Sequence, residues 1–472
     1  MAWKRQSQVE VDSLFAGLKA RDPLGHGIHV LFALPACFLA AFPTTWLEWA
    51  WWPVTVCFAV RMLSHHRVLG PLVWEWPARL ALAWVLWAAL SLAWTAGTGQ
   101  QWLAEWGVAR YALLIPALWP VMNERRWLVG ALALGALCGN LSQVAHAIGI
   151  AAEIPWLVWP RLEDRNSGWW DPVVGGSVLC AALGLHMAGL SLGRSVSERI
   201  VGGVLSAATL IAIAATGTRG AWIGAAGVIG VAVMIAGWRA VRGQTPTAAE
   251  RSFGSSRMVI AAALVVVLCG AAVWFAAGET ITKRVGEARE ELTRAVEHGD
   301  YSTFTGARLT MWGWGVRAVA AHPIRGVGGG GYSPWVQGKM QEQSEPETGI
   351  EASPLLPHGH AHSWFLHAAA TTGVVGLGIM VALVVVCVMN GMRETAGAAG
   401  TECRPTRGYD AGPALAMVGL VCAGLFDSIH VNQQTAYWLW VLVALCMARR
   451  PREAIGARAK VTRQSPGAGG SA

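Results

Sequence analysis

Three histidines crowd the boundary between a polar stretch and an apolar one. They are His358, His360 and His362 in Pro357-His-Gly-His-Ala-His-Ser363, after which the chain is largely apolar to Asn390. A neutral imidazole with an ordinary pKa of ~6.5 can take a proton from a hydroxyl group at neutral pH. Positions 358, 360 and 362 share a face if the chain is extended, so the same residues can instead hold a metal ion. No carboxylate or cysteine completes such a set nearby, and the expectation is no metal. A third reading makes His362 an interfacial anchor. Two arginines offer anion chemistry. Arg219 lies in Thr216-Gly-Thr-Arg-Gly-Ala-Trp222, a very short link between apolar runs, and Arg308 opens a segment, Tyr301–Gln341, with bases and no acid. An arginine beside hydrocarbon is expensive and tends to find a partner or a cavity. Either is a phosphate ligand, or else a snorkelling anchor (Arg219) and part of a solvated helix face (Arg308). Arg325 precedes a run of glycines that can fold into a nest of backbone N–H groups or form a plain flexible hairpin.

The elements that must position these residues are apolar. Of 472 residues, 54% are hydrophobic and only 14% charged, with a mean hydropathy of +0.42. A soluble domain carries about 25% charged residues. The composition predicts an all-α polytopic membrane protein. Runs long enough to cross ~30 Å of hydrocarbon fall at 27–42, 47–63, 78–94, 103–122, 127–151, 173–192, 200–216, 221–238, 258–278, 362–390, 412–430 and 435–448, twelve in all. Lys and Arg cluster in alternate connections and at both termini, which puts both ends in the cytoplasm. The net charge of +8 is thereby a matter of topology and not of nucleic-acid binding. Many of the twenty-seven tryptophans stand near the ends of apolar runs (Trp46, Trp49, Trp51, Trp52, Trp119, Trp169, Trp170, Trp238), as in interfacial belts. The nine cysteines show no disulfide or zinc spacing, and all but Cys403 lie within or beside apolar runs.

The organisation that follows is a cytoplasmic N-terminus (1–26), nine helices (27–278), a large exported loop (279–361), three more helices (362–448) and a basic, disordered tail (449–472). A shorter exported loop, 153–172, carries the charged cluster Arg161-Leu-Glu-Asp-Arg165. The large loop opens on Ile281, Val285, Ala288, Leu292 and Ala295, spaced as on an amphipathic helix. A second helix is expected from about Gly306 to Ala321, broken by Pro323.

The pattern His362-Ser363, nine residues, Gly373, two residues, Gly376-Leu377 resembles the signature of the bacterial O-antigen ligase family. The Thr-Arg219-Gly-Ala-Trp turn and Arg308 in Gly-Ala-Arg-Leu-Thr-Met-Trp312, followed by His322-Pro-Ile-Arg-Gly-Val-Gly328, are similar to two further hallmarks. The resemblance implies a membrane-embedded glycosyltransferase of GT-C-like fold in a Gram-negative inner membrane. Its donor would be undecaprenyl pyrophosphate-linked O-antigen and its acceptor lipid A–core, with no cofactor, no metal and no nucleic acid. It implies His362 as general base, Arg219 and Arg308 as pyrophosphate ligands, and inversion at the transferred sugar. Secondary candidates are Arg325, His360, His358 and Ser363. Two alternatives stay open: an O-antigen polymerase or protein O-oligosaccharyltransferase, which differ only in acceptor, and a transporter of lipid-linked sugar.

Overall fold

The computed structural model describes residues 8–158, 166–193, 195–241, 278–279, 281–343, 359–396 and 408–447. Its helices are α1 (Gln8–Arg21), α2 (Pro23–Phe38), α3 (Thr44–His65), α4 (Trp76–Leu90), α5 (Gly99–Trp106), α6 (Leu114–Leu118), α7 (Arg125–Ala151), α8 (Pro172–Leu192), α9 (Val196–Ala215) and α10 (Arg219–Val241). They continue as α11 (281–297), α12 (Phe304–Ala321), α13 (Tyr332–Gln343), α14 (Trp364–Ala396), α15 (Gly412–Ala423) and α16 (Gln433–Leu445). No strand occurs among the described residues. This is an all-α polytopic membrane protein. Seven stretches among the described residues are long and apolar enough to cross a membrane.

Twelve spans were expected, and the differences have physical causes. The run expected as one helix over 103–122 is broken into α5, a tight turn over Gly107–Leu113, α6 and a second tight turn over Trp119–Glu124. Pro116 and Pro120 have no N–H to give the helix, and Arg110 turns aside to bond Gly107 O at 2.7 Å and to reach Glu48. Helices α15 and α16 run only 12 and 13 residues, short of the ~20 needed to span the hydrocarbon core. The expected span 258–278 lies almost wholly outside the described residues, as do Arg161, Arg165 and the basic tail.

The helices are not equivalent. In α8, 83% of the apolar window is buried, against 33% in α9 and in α10. It is apolar all round and forms the centre of the bundle. Glycines let its neighbour α15 approach: a Cβ on Gly184 would meet Leu415 C at 2.3 Å, and one on Gly419 would meet Cys180 O at 2.1 Å. Small residues serve here as they do wherever helices pack in lipid, where close backbone approach replaces the hydrophobic drive. The tryptophans split into two groups. Trp46, Trp49, Trp52 and Trp238 are exposed as a belt requires, but Trp51, Trp119 and Trp170 are buried, and Trp119 donates to Val68 O at 2.8 Å. At one end of the bundle the buried Arg125 caps α16 by donating to Leu445 O, and it also donates to Asp410 O, each at 2.8 Å. The opposite end carries α11–α13. The described cysteines are free thiols.

The loop region folds as the spacing required, with helices over 281–297 and Phe304–Ala321. Its docking differs from the expectation. The chain after Pro323 is not a flexible hairpin. It seats itself against a break in α14 at Gly373, whose φ of +68° only glycine adopts freely. Carbonyls freed by the break accept from this loop: Val327 N to Ala370 O at 2.8 Å and Gly328 N to Thr371 O at 2.9 Å. In return Val374 N donates to Pro323 O at 2.8 Å. A Cβ at Gly373 would stand 2.1 Å from Ile324 O, so this glycine is what lets loop and helix touch.

Candidate active site

Arg219 begins α10 after the turn Thr216–Thr218, where Thr218 Oγ1 donates to Pro172 O at 2.9 Å and fastens the turn to the start of α8. Its guanidinium is already engaged. Nε donates to Arg284 O at 3.1 Å, and Nη1 donates to Glu291 Oε2 and to Thr305 Oγ1, each at 3.0 Å. Glu287 Oε2 lies 3.7 Å from Nη2. The amphipathic α11 therefore lays two carboxylates on Arg219 and exposes Val285, Leu292 and Val296 away from it. Burial works against the charged form of Glu291, but Arg219 and Thr305 outweigh it and its pKa is lowered.

Arg308 sits on α12, one turn after the cap in which Thr303 Oγ1 accepts from Gly306 N at 3.1 Å. Burial lowers its pKa; the charges of Asp427 and Glu291 oppose that shift, and Arg219 adds to it. A guanidinium still stays charged at neutral pH. The two arginines thus lie within each other's field, with Glu291 common to both.

Asp427 is the group that reading the sequence missed. It lies in the connection between α15 and α16, is buried, and accepts from Ser177 Oγ at 3.2 Å and from Ser428 N at 2.8 Å. Burial pushes its pKa up to about 6, although Ser177, Ser428 and Arg308 all pull it down. The available signal was that Asp427 is the one acid between Gly412 and His430. An ionisable residue in such a run is a functional candidate by default. Its connection is also a hub. Phe426 packs on Gly220, the residue after Arg219, and its ring centroid lies 6.0 Å from that of Trp312 on α12. Gly424 O accepts from Trp364 N, the first residue of α14, at 2.7 Å.

His362 stands two residues before α14, in a left-handed turn with φ +47°. That turn ends the extended geometry which would have set His358, His360 and His362 on one face; His358 itself lies outside the described residues. His362 N donates to His360 Nδ1 at 3.3 Å, and the two ring centroids are 4.3 Å apart. Ser363 is buried and its carbonyl accepts from His367 N at 2.8 Å, opening α14. His362 and the arginines therefore share one end of the bundle, joined through the 424–431 connection. Arg325 is exposed and gives only its carbonyl, to Trp94 Nε1 at 3.0 Å. The glycine run behind it is no anion nest. Its N–H groups are spent on protein acceptors, among them Ser91 Oγ at 3.1 Å from Gly329 N and Glu105 Oε2 at 2.8 Å from Gly330 N.

Residues 204–381 match the family model described as O-antigen ligase. That segment is similar to the O-antigen ligase family. It contains Arg219, Arg308, the glycine loop, His362 and the start of α14. Asp427 and Ser177 come from outside the matched segment. The chain is also similar, at 22% identity over 279 residues, to an uncharacterised protein of Haemophilus influenzae. The match covers 58% of this chain and 63% of that relative, so the chain spans somewhat under two thirds of the relative's length. The chain is thus a multi-pass membrane protein whose residues 204–381 are similar to the O-antigen ligase family. The family's glycines also gain a physical meaning here. Gly373 admits the backbone of Ile324, and a Cβ on Gly376 would stand 3.1 Å from Trp87 Cδ1, while Trp87 Nε1 donates to Thr372 O at 2.9 Å. Gly373 thus keeps the loop that follows Arg308's helix locked to α14, and Gly376 lets Trp87 of α4 pack against the same helix.

Proposed function

We propose that the chain is an inverting glycosyltransferase of the periplasmic face of a Gram-negative inner membrane, moving O-antigen polysaccharide from undecaprenyl pyrophosphate to lipid A–core. The acceptor hydroxyl gives its proton to the His362 imidazole, and its oxygen attacks C1 of the donor's first sugar from the face opposite the leaving group. The C1–O bond breaks with its electron pair going to the pyrophosphate, whose growing charge falls to Arg219 and Arg308. Pyrophosphate is already a good leaving group, and no step is routed through a metal or a nucleotide. The cation pair gains strength from its partial burial, because charges interact more strongly where water is excluded. The observation that carries the reading is the hydrogen-bonded ion pair of Arg219 with Glu291, with Arg308 near enough to feel the charge of both, inside the segment that matches the O-antigen ligase family.

In this scheme Glu287 and Glu291 hold the place that donor phosphate takes. A dianionic pyrophosphate can replace two carboxylates on one guanidinium at little cost in charge, so donor arrival exchanges partners and does not strip a cation bare. The test is purified protein with lipid-linked O-antigen and three acceptors in parallel: lipid A–core, a growing O-antigen chain and a pilin peptide bearing Ser/Thr. Transfer to lipid A–core is expected. Transfer only to one of the others moves the assignment to a polymerase or a protein oligosaccharyltransferase. Movement of donor across a vesicle without covalent transfer replaces it with a transporter.

A further inference from the structure

Apart from the arginines, a further group of ionisable side chains converges among the described residues. Glu105 ends α5, His367 lies on the first turns of α14 and His430 belongs to the connection before α16; one ligand atom from each lies within 4.8 Å of the others. His367 and His430 are 0% and 2% exposed and Glu105 is 9% exposed. Glu105 Oε1, His367 Nε2 and both ring nitrogens of His430 have no hydrogen-bond partner. Buried polar atoms are rarely left so, and here they face one another. His430 is walled by aromatic rings, with Trp84 and Trp106 centroids each 5.7 Å away.

We propose that Glu105, His367 and His430 form a site for a divalent cation of the zinc type. Two imidazoles and one carboxylate are a known zinc donor set. His367 Nε2 lies 3.3 Å from Glu105 Oε1 without a hydrogen bond's alignment. Bonds of ~2.0 Å in a tetrahedron put neighbouring donor atoms ~3.3 Å apart. The second oxygen of Glu105 accepts from Gly330 N at 2.8 Å, the kind of supporting bond that orients a metal-binding carboxylate. A water would also satisfy these atoms, but it would leave the buried carboxylate uncompensated, and a dication removes that penalty. One contact opposes loading. Ala361 N donates to His367 Nδ1 at 3.4 Å, and a metal on Nε2 moves the ring proton to Nδ1. One long backbone contact is lost against three metal bonds. His360, 6.2 Å from His367 between ring centroids, or a water, fills the fourth position. The ion would tie α5, the glycine loop, α14 and the 424–431 connection together on the buried side of His362, as a structural centre.

The experiment reads metal and not activity, so it stands apart from the proposed transfer reaction. Full-length protein in detergent is stripped with chelator and equilibrated with zinc, then with cobalt(II). About one zinc per chain is expected, and a visible cobalt band of tetrahedral type. Glu105→Gln and His430→Gln should each weaken zinc at least about tenfold, with unchanged size-exclusion elution. If one variant does not fold, the other and His367→Gln carry the test. Wild-type protein that retains no zinc above background, or variants that bind it equally well, would mean that the cluster holds an ordered water only and would overturn the proposal.

Discussion

The turn bearing Arg219 and the helix bearing Arg308 look alike in the sequence, each a lone cation flanked by small residues. Their surroundings differ. Arg219 is partly exposed and gripped by Glu291, with Glu287 beside it, on an amphipathic helix. Arg308 is also half-buried, but desolvation lowers its pKa, with the charge of Asp427 opposing the shift. The first arrangement is an exchangeable grip, since a phosphate can take the place of half-buried carboxylates that still reach solvent. The second is a more fixed cation, since a more strongly desolvated guanidinium cannot change its acidic surroundings cheaply. In the proposed reaction Arg308 is then the preorganised element and Arg219 the adaptable one.

Substituting each arginine by lysine is the most forceful way to break that contrast. Arg308→Lys should lower the transfer rate at saturating donor by ~10²-fold or more, the loss typical of one preorganised donor. Arg219→Lys should cost less, about tenfold, because an ammonium can still pair with a mobile anion but offers no planar fork. Equal losses would erase the distinction, and near wild-type rates for both would reduce them to anchors.

Asp427 sharpens it next. Its carboxyl is raised to about 6 by burial, so acidification below that value neutralises the charge facing Arg308. Transfer should therefore decline as pH falls through about 6; protonation of the His362 base contributes to the same limb, so Asp427→Asn should make it shallower without removing it, while costing several-fold at neutral pH. The stability sign runs the other way. The folded state holds this proton more tightly than the unfolded chain, so the contribution of Asp427 to stability falls as pH rises from about 4 to about 6. An acid limb unchanged in steepness in Asp427→Asn would assign it wholly to another group.

The smallest effect is expected at Glu291. Removing its charge in Glu291→Gln loosens the hold on Arg219, so the KM for donor should fall a few-fold with kcat almost unchanged, since the interaction removed belongs to the free enzyme. A fall in kcat instead would mean that Glu291 positions Arg219 for the reaction.

Much of this was legible in one dimension. Helix period marked α11 and α12, Pro323 marked the end of α12, and the histidine–glycine spacing marked the start of α14. The broken stretch after α5 was visible in Pro116 and Pro120 but was outvoted by hydropathy. The grip on Arg219 was not legible, because Glu291 stands 72 residues away and acids on an amphipathic helix read as a solvated face. The docking of the glycine run was hidden for the same reason: Glu105 and Gly330 are 225 residues apart, and nothing local in a glycine run names its acceptor. Asp427 was absorbed into a span drawn to His430, although the helix stops at Ala423.

His362→Ala, compared with wild type for transfer from lipid-linked O-antigen to lipid A–core, bears most directly on the assigned chemistry. The residue lies outside the helix it precedes, so expression and membrane insertion should be unchanged. The rate should fall by ~10²–10⁴-fold, the usual contribution of a general base. A variant retaining more than about a tenth of wild-type transfer would contradict the assignment of His362 as the base.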